Sequence, residues 1–210
     1  MNIRIKEVLP QEIEKKSFEI ITQELAGRPF DPWQEPVIKR AIHTSADFDY
    51  ADNLVFSEDA VRKLRDAIVQ GACIVTDTQM AKAGINKTKL AEYGGEVFCF
   101  MSEKDVAEEA KRRGCTRAVV SMERAAKLNR PVIFAIGNAP TALIQLYKML
   151  EEEKIHPYGI IAVPVGFVNV VEAKELILTT KVPHIVARGR KGGSNIAAAI
   201  CNAILYLEGR

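Results

Sequence analysis

His43 stands in Arg40-Ala-Ile-His43-Thr44-Ser-Ala-Asp47-Phe-Asp49, between a basic residue and two carboxylates. With an unperturbed pKa of ~6.5, histidine exchanges protons near neutrality. Arg40 precedes it by three positions, so on a helix the two share a face. A cation beside an imidazole suits a site that receives an anionic ligand and protonates it. An N-capping or core-edge histidine with a satisfied hydrogen bond fits the same short polar cluster. The other two histidines point elsewhere. His156 precedes Pro157 in a connector. His184 opens an apolar run, where a structural role is expected.

A second cluster lies near the end of the chain. Arg188-Gly189-Arg190-Lys191-Gly192-Gly193-Ser194 combines positive charge with glycines that let backbone amides approach a ligand. A helix begins next, and helix N-termini favour anions. The pattern is neither G-x-G-x-x-G nor G-x-x-x-x-G-K-[ST], so neither a dinucleotide nor a P-loop nucleotide is indicated. It suits a carboxylate or phosphate cradle. A basic, solvated turn capping the last helix is the plainer reading.

Both clusters need elements to position them. Short apolar runs occur at 72–76, 96–100, 131–136, 159–163 and 184–187. Helical patterns occur at 103–113, 117–128, 141–152, 170–178 and 195–207. Continuous apolar strands alternating with amphipathic helices predict a three-layer α/β/α fold around a mainly parallel sheet. Ligands of such sheets gather at the carboxyl ends of the strands. Thr76-Asp77-Thr78, Gly137-Asn138-Ala139-Pro140, Pro164-Val165-Gly166-Phe167 and the basic turn should therefore share one edge. Residues 1–50 read as a helical extension and 51–210 as the βα core of a single domain. The extension's first helix starts at Pro10, carries Ile13, Ser17, Ile20, Ile21 and Leu25, and stops near Gly27 and Pro29. Ser17 could bond back to the carbonyl four residues earlier or face a ligand. Pro32 and Pro36 should form a rigid connector before the His43 segment.

Composition excludes several classes. At 210 residues and 48% hydrophobic, the chain can bury a real core. Lys+Arg 29 against Asp+Glu 27 gives +2, which offers no case for nucleic-acid binding. No apolar run reaches the ~18 residues of a membrane span. Residues 1–7 show no secretory h-region, so a cytoplasmic location is expected. Cys73, Cys99, Cys115 and Cys201 lack C-x-x-C spacing and read as reduced, mostly buried thiols.

Taken in order, the motifs closely resemble the precorrin-8X (cobalt-precorrin-8) methylmutase family of cobalamin biosynthesis. They are Arg40 to Phe48, Thr76-Asp77-Thr-Gln-Met80 through Ile85, and Gly137-Asn138-Ala139-Pro140-Thr141 through Leu143. Pro164 through Glu175 and Arg188 through Ser194 complete the set, which spans nearly the whole chain. The resemblance implies a methyl migration on a corrinoid ring from C-11 to C-12, a formal 1,5-sigmatropic shift. It implies no redox cofactor, nucleotide or protein metal. It makes His43 the catalytic residue and general acid, with Ser17 and Arg40 binding substrate. A flat apolar ring fringed with carboxylates calls for an apolar slot with basic groups and amides around it. Arg188 and Lys191 suit that rim, with the Gly192, Gly193 and Ser194 amides beside them. Thr44, Asp77 and Asn138 complete the expected contacts, and Arg117 could equally be a solvated helix residue. The family also implies a homodimer with sites near the interface, and transient contact with neighbouring pathway enzymes is conceivable. A non-catalytic corrinoid carrier and an α/β enzyme for a phosphorylated metabolite remain as other readings. The motifs fit metal-free and cobalt-bearing rings alike.

Overall fold

Val- and Ile-rich runs place the strands, and the helices follow from the amphipathic stretches between them. The computed structural model describes residues 9–207. The chain runs α1 (Pro10–Glu24), α2 (Gln34–Ser45), the single turn α3 (Tyr50–Asn53), β1 (Leu54–Phe56), α4 (Ala60–Val69) and β2 (Cys73–Thr76). Then come α5 (Gln79–Gly84), α6 (Lys87–Ala91), β3 (Val97–Phe98), α7 (Lys104–Arg113), α8 (Arg117–Ala125) and β4 (Val132–Ile136). The last are α9 (Pro140–Glu151), β5 (Gly159–Ala162), α10 (Val170–Leu178), β6 (His184–Ala187) and α11 (Ser194–Leu205).

The strands form one sheet in the order β1-β6-β5-β4-β2-β3. All pairings are parallel except β1 with β6, where Leu54 faces Ala187. Alternate residues of each strand serve opposite faces. Ile74, Ile133, Ile161 and Ile185 pack with α2, α4, α5 and α11 through Val37, Leu64, Ala81 and Ile200. Val75, Phe134, Ile160 and Val186 pack with α7 to α10 through Val106, Met122, Leu143 and Ile177. Each of these side chains larger than alanine, fully buried, stabilises the fold by roughly 1.5–3 kcal/mol. The three-layer α/β/α architecture is thus present; α7 to α11 lie within a few residues of the expected ranges, whereas α4, α5 and α6 fall where no helix was expected.

Three features differ from expectation. The edge strand β1 has only three residues, too few for alternation to show in the sequence. Pro36 lies inside the first turn of α2, where the missing N–H costs nothing, so the connector is shorter than the prolines suggested. The apolar stripe of α1 is only half used. Ile21 and Leu25 are buried, whereas Ile13 and Ile20 are 54% and 46% exposed. Cys73, Cys99 and Cys201 are buried and Cys115 half-buried, all as free thiols.

Candidate active site

The placement of His43 follows from the pattern of α2. Val37, Ile38, Ala41 and Ile42 are buried at i, i+1, i+4 and i+5. Lys39, Arg40, His43 and Thr44 repeat that spacing two positions on, about 200° round the helix, and come to the cleft side. The helix ends at Ala46, left-handed at φ 54°, whose amide donates to the Ile42 carbonyl at 2.7 Å. His43 therefore sits in the last turn, half-buried.

Its ring stacks on Phe18 of α1, with centroids 5.1 Å apart and planes 16° from parallel. The Arg40 guanidinium lies over the same Phe18 ring at 4.7 Å and pairs with Glu14. Among the described residues no side chain or carbonyl hydrogen-bonds either ring nitrogen of His43. Asp47 and Asp49 do not reach it. Both carboxylates accept instead from Lys191 Nζ, at 2.6 Å each. That contact holds Asp47 below the usual carboxylate range and Lys191 above the usual amine range. Ser17 Oγ also lacks a partner among the described residues, so the back-bond to the preceding turn is not made. Thr44 Oγ1 donates to the Arg40 carbonyl at 2.9 Å.

Arg40, His43 and Thr44 line a cleft of about 750 Å³ between α2 and α11, with Glu14, Gly84, Asn195, Ala198, Ala199, Asn202 and Tyr206. Its floor is small: the Gly84 Cα packs so close that a Cβ there would stand 2.8 Å from Ala198 Cβ. A second cleft of about 810 Å³ continues between α1 and α2 and shares Arg40 and Tyr206. A flat floor with a histidine and an arginine at its side can seat a planar apolar ligand and deliver a proton to it.

The carboxyl edge of the sheet adjoins this cleft through Asn195 and is built differently. Asp77 follows β2 and is buried. Its carboxylate accepts from the amides of Gly137 and Asn138 at 2.8 Å and of Ala139 at 2.6 Å. Burial raises its pKa, and the three amides pull against that rise. Ser194 hydrogen-bonds Thr78 at 2.7 Å, and a Cβ on Gly137 would stand 2.7 Å from Ser194 Cα. The Gly193 amide donates to the Val163 carbonyl at 2.8 Å, and a Cβ on Gly192 would meet that carbonyl oxygen at 2.1 Å. These glycines therefore serve close packing between loops. Lys174 of α10 is fully buried and donates to the Gly189 and Lys191 carbonyls, both at 2.8 Å.

The sequence profile of the precorrin-8X methylmutase family matches residues 12–207. The chain belongs to that family. Methylmutases of this family are isomerases of cobalamin biosynthesis that transfer a methyl group within one molecule. The cobalt-precorrin-8 methylmutase of Priestia megaterium is 46% identical over 95% of this chain and 89% of its own length. That of Salmonella typhimurium is 45% identical over 94% and 95%. A crystal structure of the precorrin-8X methylmutase from Thermus thermophilus superposes with a TM-score of 0.84 at 36% identity, covering 92% of this chain and 96% of that one.

In this methylmutase chain the expected residues fall into two groups. Ser17, Arg40, His43 and Thr44 gather on α1 and α2. Asp77, Asn138 and Gly192 to Ser194 gather at the carboxyl edge. Lys191 joins the groups through Asp47 and Asp49. Asn138 is exposed, with its amide committed to Asp77. Arg188 is engaged by Glu175 through two hydrogen bonds of 2.8 Å. Arg117 is exposed at the start of α8, beside a Thr116–Thr141 hydroxyl contact of 2.9 Å, with no ion pair among the described residues. Sequence reasoning missed Phe18, Asn195, Asn202, Tyr206 and Lys174. Asn195, Asn202 and Tyr206 are spaced seven and four apart on the otherwise apolar α11, a polar stripe that was available to be noticed. The aromatic support under His43 carried no such signal, because it comes from another helix.

Proposed function

We propose that this chain moves a methyl group from C-11 to C-12 of a corrinoid ring, precorrin-8X or its cobalt-bearing equivalent, with His43 as the general acid. The observation that carries this reading is the His43 ring itself, held flat on Phe18 with both nitrogens uncommitted beside an apolar-floored cleft. Stacking fixes the ring plane without using its hydrogen-bonding edge, so that edge is left for a ligand. A proton delivered to a ring nitrogen of the corrinoid draws electron density through the π system as the methyl group migrates. A positioned acid of this kind supplies ~10² to 10⁴-fold. Arg40 stands one turn away, and among the described residues its one ion pair is with the exposed Glu14, so a substrate carboxylate can replace that partner. Ser17, on the same wall, has a free hydroxyl for a peripheral group.

Lys191 and Arg188 act on the carboxylate rim by exchanging Asp47, Asp49 and Glu175 for substrate. The exposed apolar row Leu9, Ile13 and Ile20 along α1, and the exposed Phe167 and Val168 at the carboxyl edge, support a homodimer that covers these surfaces. Among the described residues no helix is long and apolar enough to cross a membrane. We place the enzyme with its substrates in the cytoplasm.

The deciding experiment incubates the protein with each ring form and follows the visible spectrum. Rearrangement by the wild type and its loss in His43→Ala, with corrinoid affinity retained, is the expected result. Tight binding without rearrangement would make the chain a carrier.

A further inference from the structure

Among the described residues, one buried ion beside the proposed site has no partner of opposite charge. Lys174 is fully buried on α10. Its amino group donates to two backbone carbonyls, Gly189 and Lys191, that lie two residues apart in the basic turn. The turn is also anchored at its ends, where the Arg188 amide donates to the Asn53 carbonyl at 2.8 Å and Ser194 bonds Thr78, and through the Lys191 side chain, which pairs with Asp47 and Asp49. The Gly193 amide meets the Val163 carbonyl, the Gly166 amide meets the Arg190 carbonyl at 3.2 Å, and Arg188 meets Glu175 at the surface.

We propose that Lys174 is a positioning residue: by holding the Gly189 and Lys191 carbonyls it sets the path of the 188–194 turn, and so places Lys191 and the glycine amides against the substrate. This rests on the proposed function, in which that turn meets the carboxylate rim.

The chemistry explains why a lysine is used. Two converging carbonyl oxygens buried together need donors, and an ammonium offers three on a flexible stem. Its bonds to carbonyls are charge-assisted and stronger than those of a neutral donor. Among the described residues no carboxylate competes for it. Glu175 is taken by Arg188, while Lys191 is taken by Asp47 and Asp49. Arg190 lies over Phe167. The packed neighbour α9 carries Tyr147, Lys148 and Glu151, β5 carries no ionisable side chain, and β6 carries only His184, whose Nδ1 bonds the Val182 carbonyl. Burial alone brings the Lys174 pKa down to about 8. The clamp therefore loses its charge as pH rises through about 8. A neutral amine keeps two N–H donors for the two carbonyls, but a positive charge behind the carboxylate-binding turn is lost.

The test has one arm without ligand and one with. In the first, amide hydrogen exchange is measured across 188–194 in wild type and Lys174→Met, with Lys174→Gln as a second variant that keeps N–H donors. Faster exchange in Lys174→Met, partly restored in Lys174→Gln, is expected, and unchanged exchange overturns the proposal whatever the corrinoid does. In the second, affinity for hydrogenobyrinate, the product the proposed reaction gives from precorrin-8X, and steady-state kinetics are followed from pH 7 to 9.5. Wild-type affinity should weaken through about pH 8. Lys174→Met should start about tenfold weaker, with KM raised more than kcat is lowered, and show no such inflection. Looser exchange with wild-type KM and an unaltered pH profile would make Lys174 purely structural and overturn the positioning role. If neither variant folds, the wild type decides. Intrinsic-rate-corrected protection at Gly193 must hold and corrinoid affinity must fall between pH 7 and 9, and failure of either overturns the proposal. A wild type that binds no corrinoid at all refutes the proposed function instead, and the ligand-free arm still reads the clamp.

Discussion

The carboxyl-edge loops and the α1–α2 wall border the same cleft but treat polar groups in opposite ways. At the carboxyl edge, two charged side chains, Asp77 and Lys174, are buried without counter-ions among the described residues. Backbone groups solvate both: three amides for the carboxylate and two carbonyls for the amine. Glycines at 137 and 192 let the loops pack where a Cβ would collide. On the α1–α2 wall the ion pairs are at the surface, as Arg40–Glu14 is, and His43 and Ser17 keep their side-chain polar atoms free among the described residues. A buried polar group left unpaired is costly, so the first region must be completed during folding. Solvent-facing pairs are worth little, so the second can exchange partners with a ligand. The frame is fixed, and His43 and its neighbours stay available.

The largest effect expected from this contrast is kinetic. His43→Ala should lower single-turnover rearrangement by roughly 10² to 10⁴-fold. It should cost only about 1 kcal/mol of stability, the worth of the lost stack on Phe18. Urea titration beside the spectroscopic rate measures both, and a wild-type rate in this variant ends the proposed mechanism.

Next in size is damage to the frame. Asp77→Ala leaves three amides of 137–139 without their acceptor and should destabilise the fold by about 3 kcal/mol or more. The contrast breaks if Asp77→Ala melts like wild type while His43→Ala unfolds.

A smaller effect is pH-dependent. The folded-state pKa of Lys174 is lowered from 10.5 to about 8. Between those values the unfolded chain holds a proton that the folded chain has released, so this group makes stability rise with pH across that window. At ~1.4 kcal/mol per pKa unit, the rise is at most about 3 kcal/mol. Denaturation at pH 7.5 and pH 10 should show it in wild type, and Lys174→Met should show less of a rise. Equal slopes would mean that the lysine is not held in a dry site.

The smallest effect belongs to the exchangeable pairs. Arg40→Ala should change stability by less than about 1 kcal/mol. Lys191→Ala should weaken corrinoid binding mainly at low salt, since surface charges are screened within ~10 Å at 0.1 M. A large loss of folding stability in either variant would move that residue from the adjustable wall to the fixed frame.

What the sequence determined by itself was the strand and helix rhythm and the motif set. Parallel-sheet strands are apolar on both faces, so runs such as 132–136 and 184–187 are visible without knowing their neighbours. The spacing in α2 likewise put Arg40, His43 and Thr44 on one side. The short β1 and the turn-length α3 were not legible, because so few residues carry no period. Which partners the polar groups choose was decided only in three dimensions. Asp47 and Asp49 are neighbours of His43 in sequence, yet they bind Lys191, about 140 positions on. Asp77 reads as a ligand contact in its motif and turns to the amides of 137–139, which only the β2–β4 pairing brings to it. Local patterning reports which face of an element is apolar. It does not report which element lies opposite, and the partner of every buried charge here comes from the element opposite.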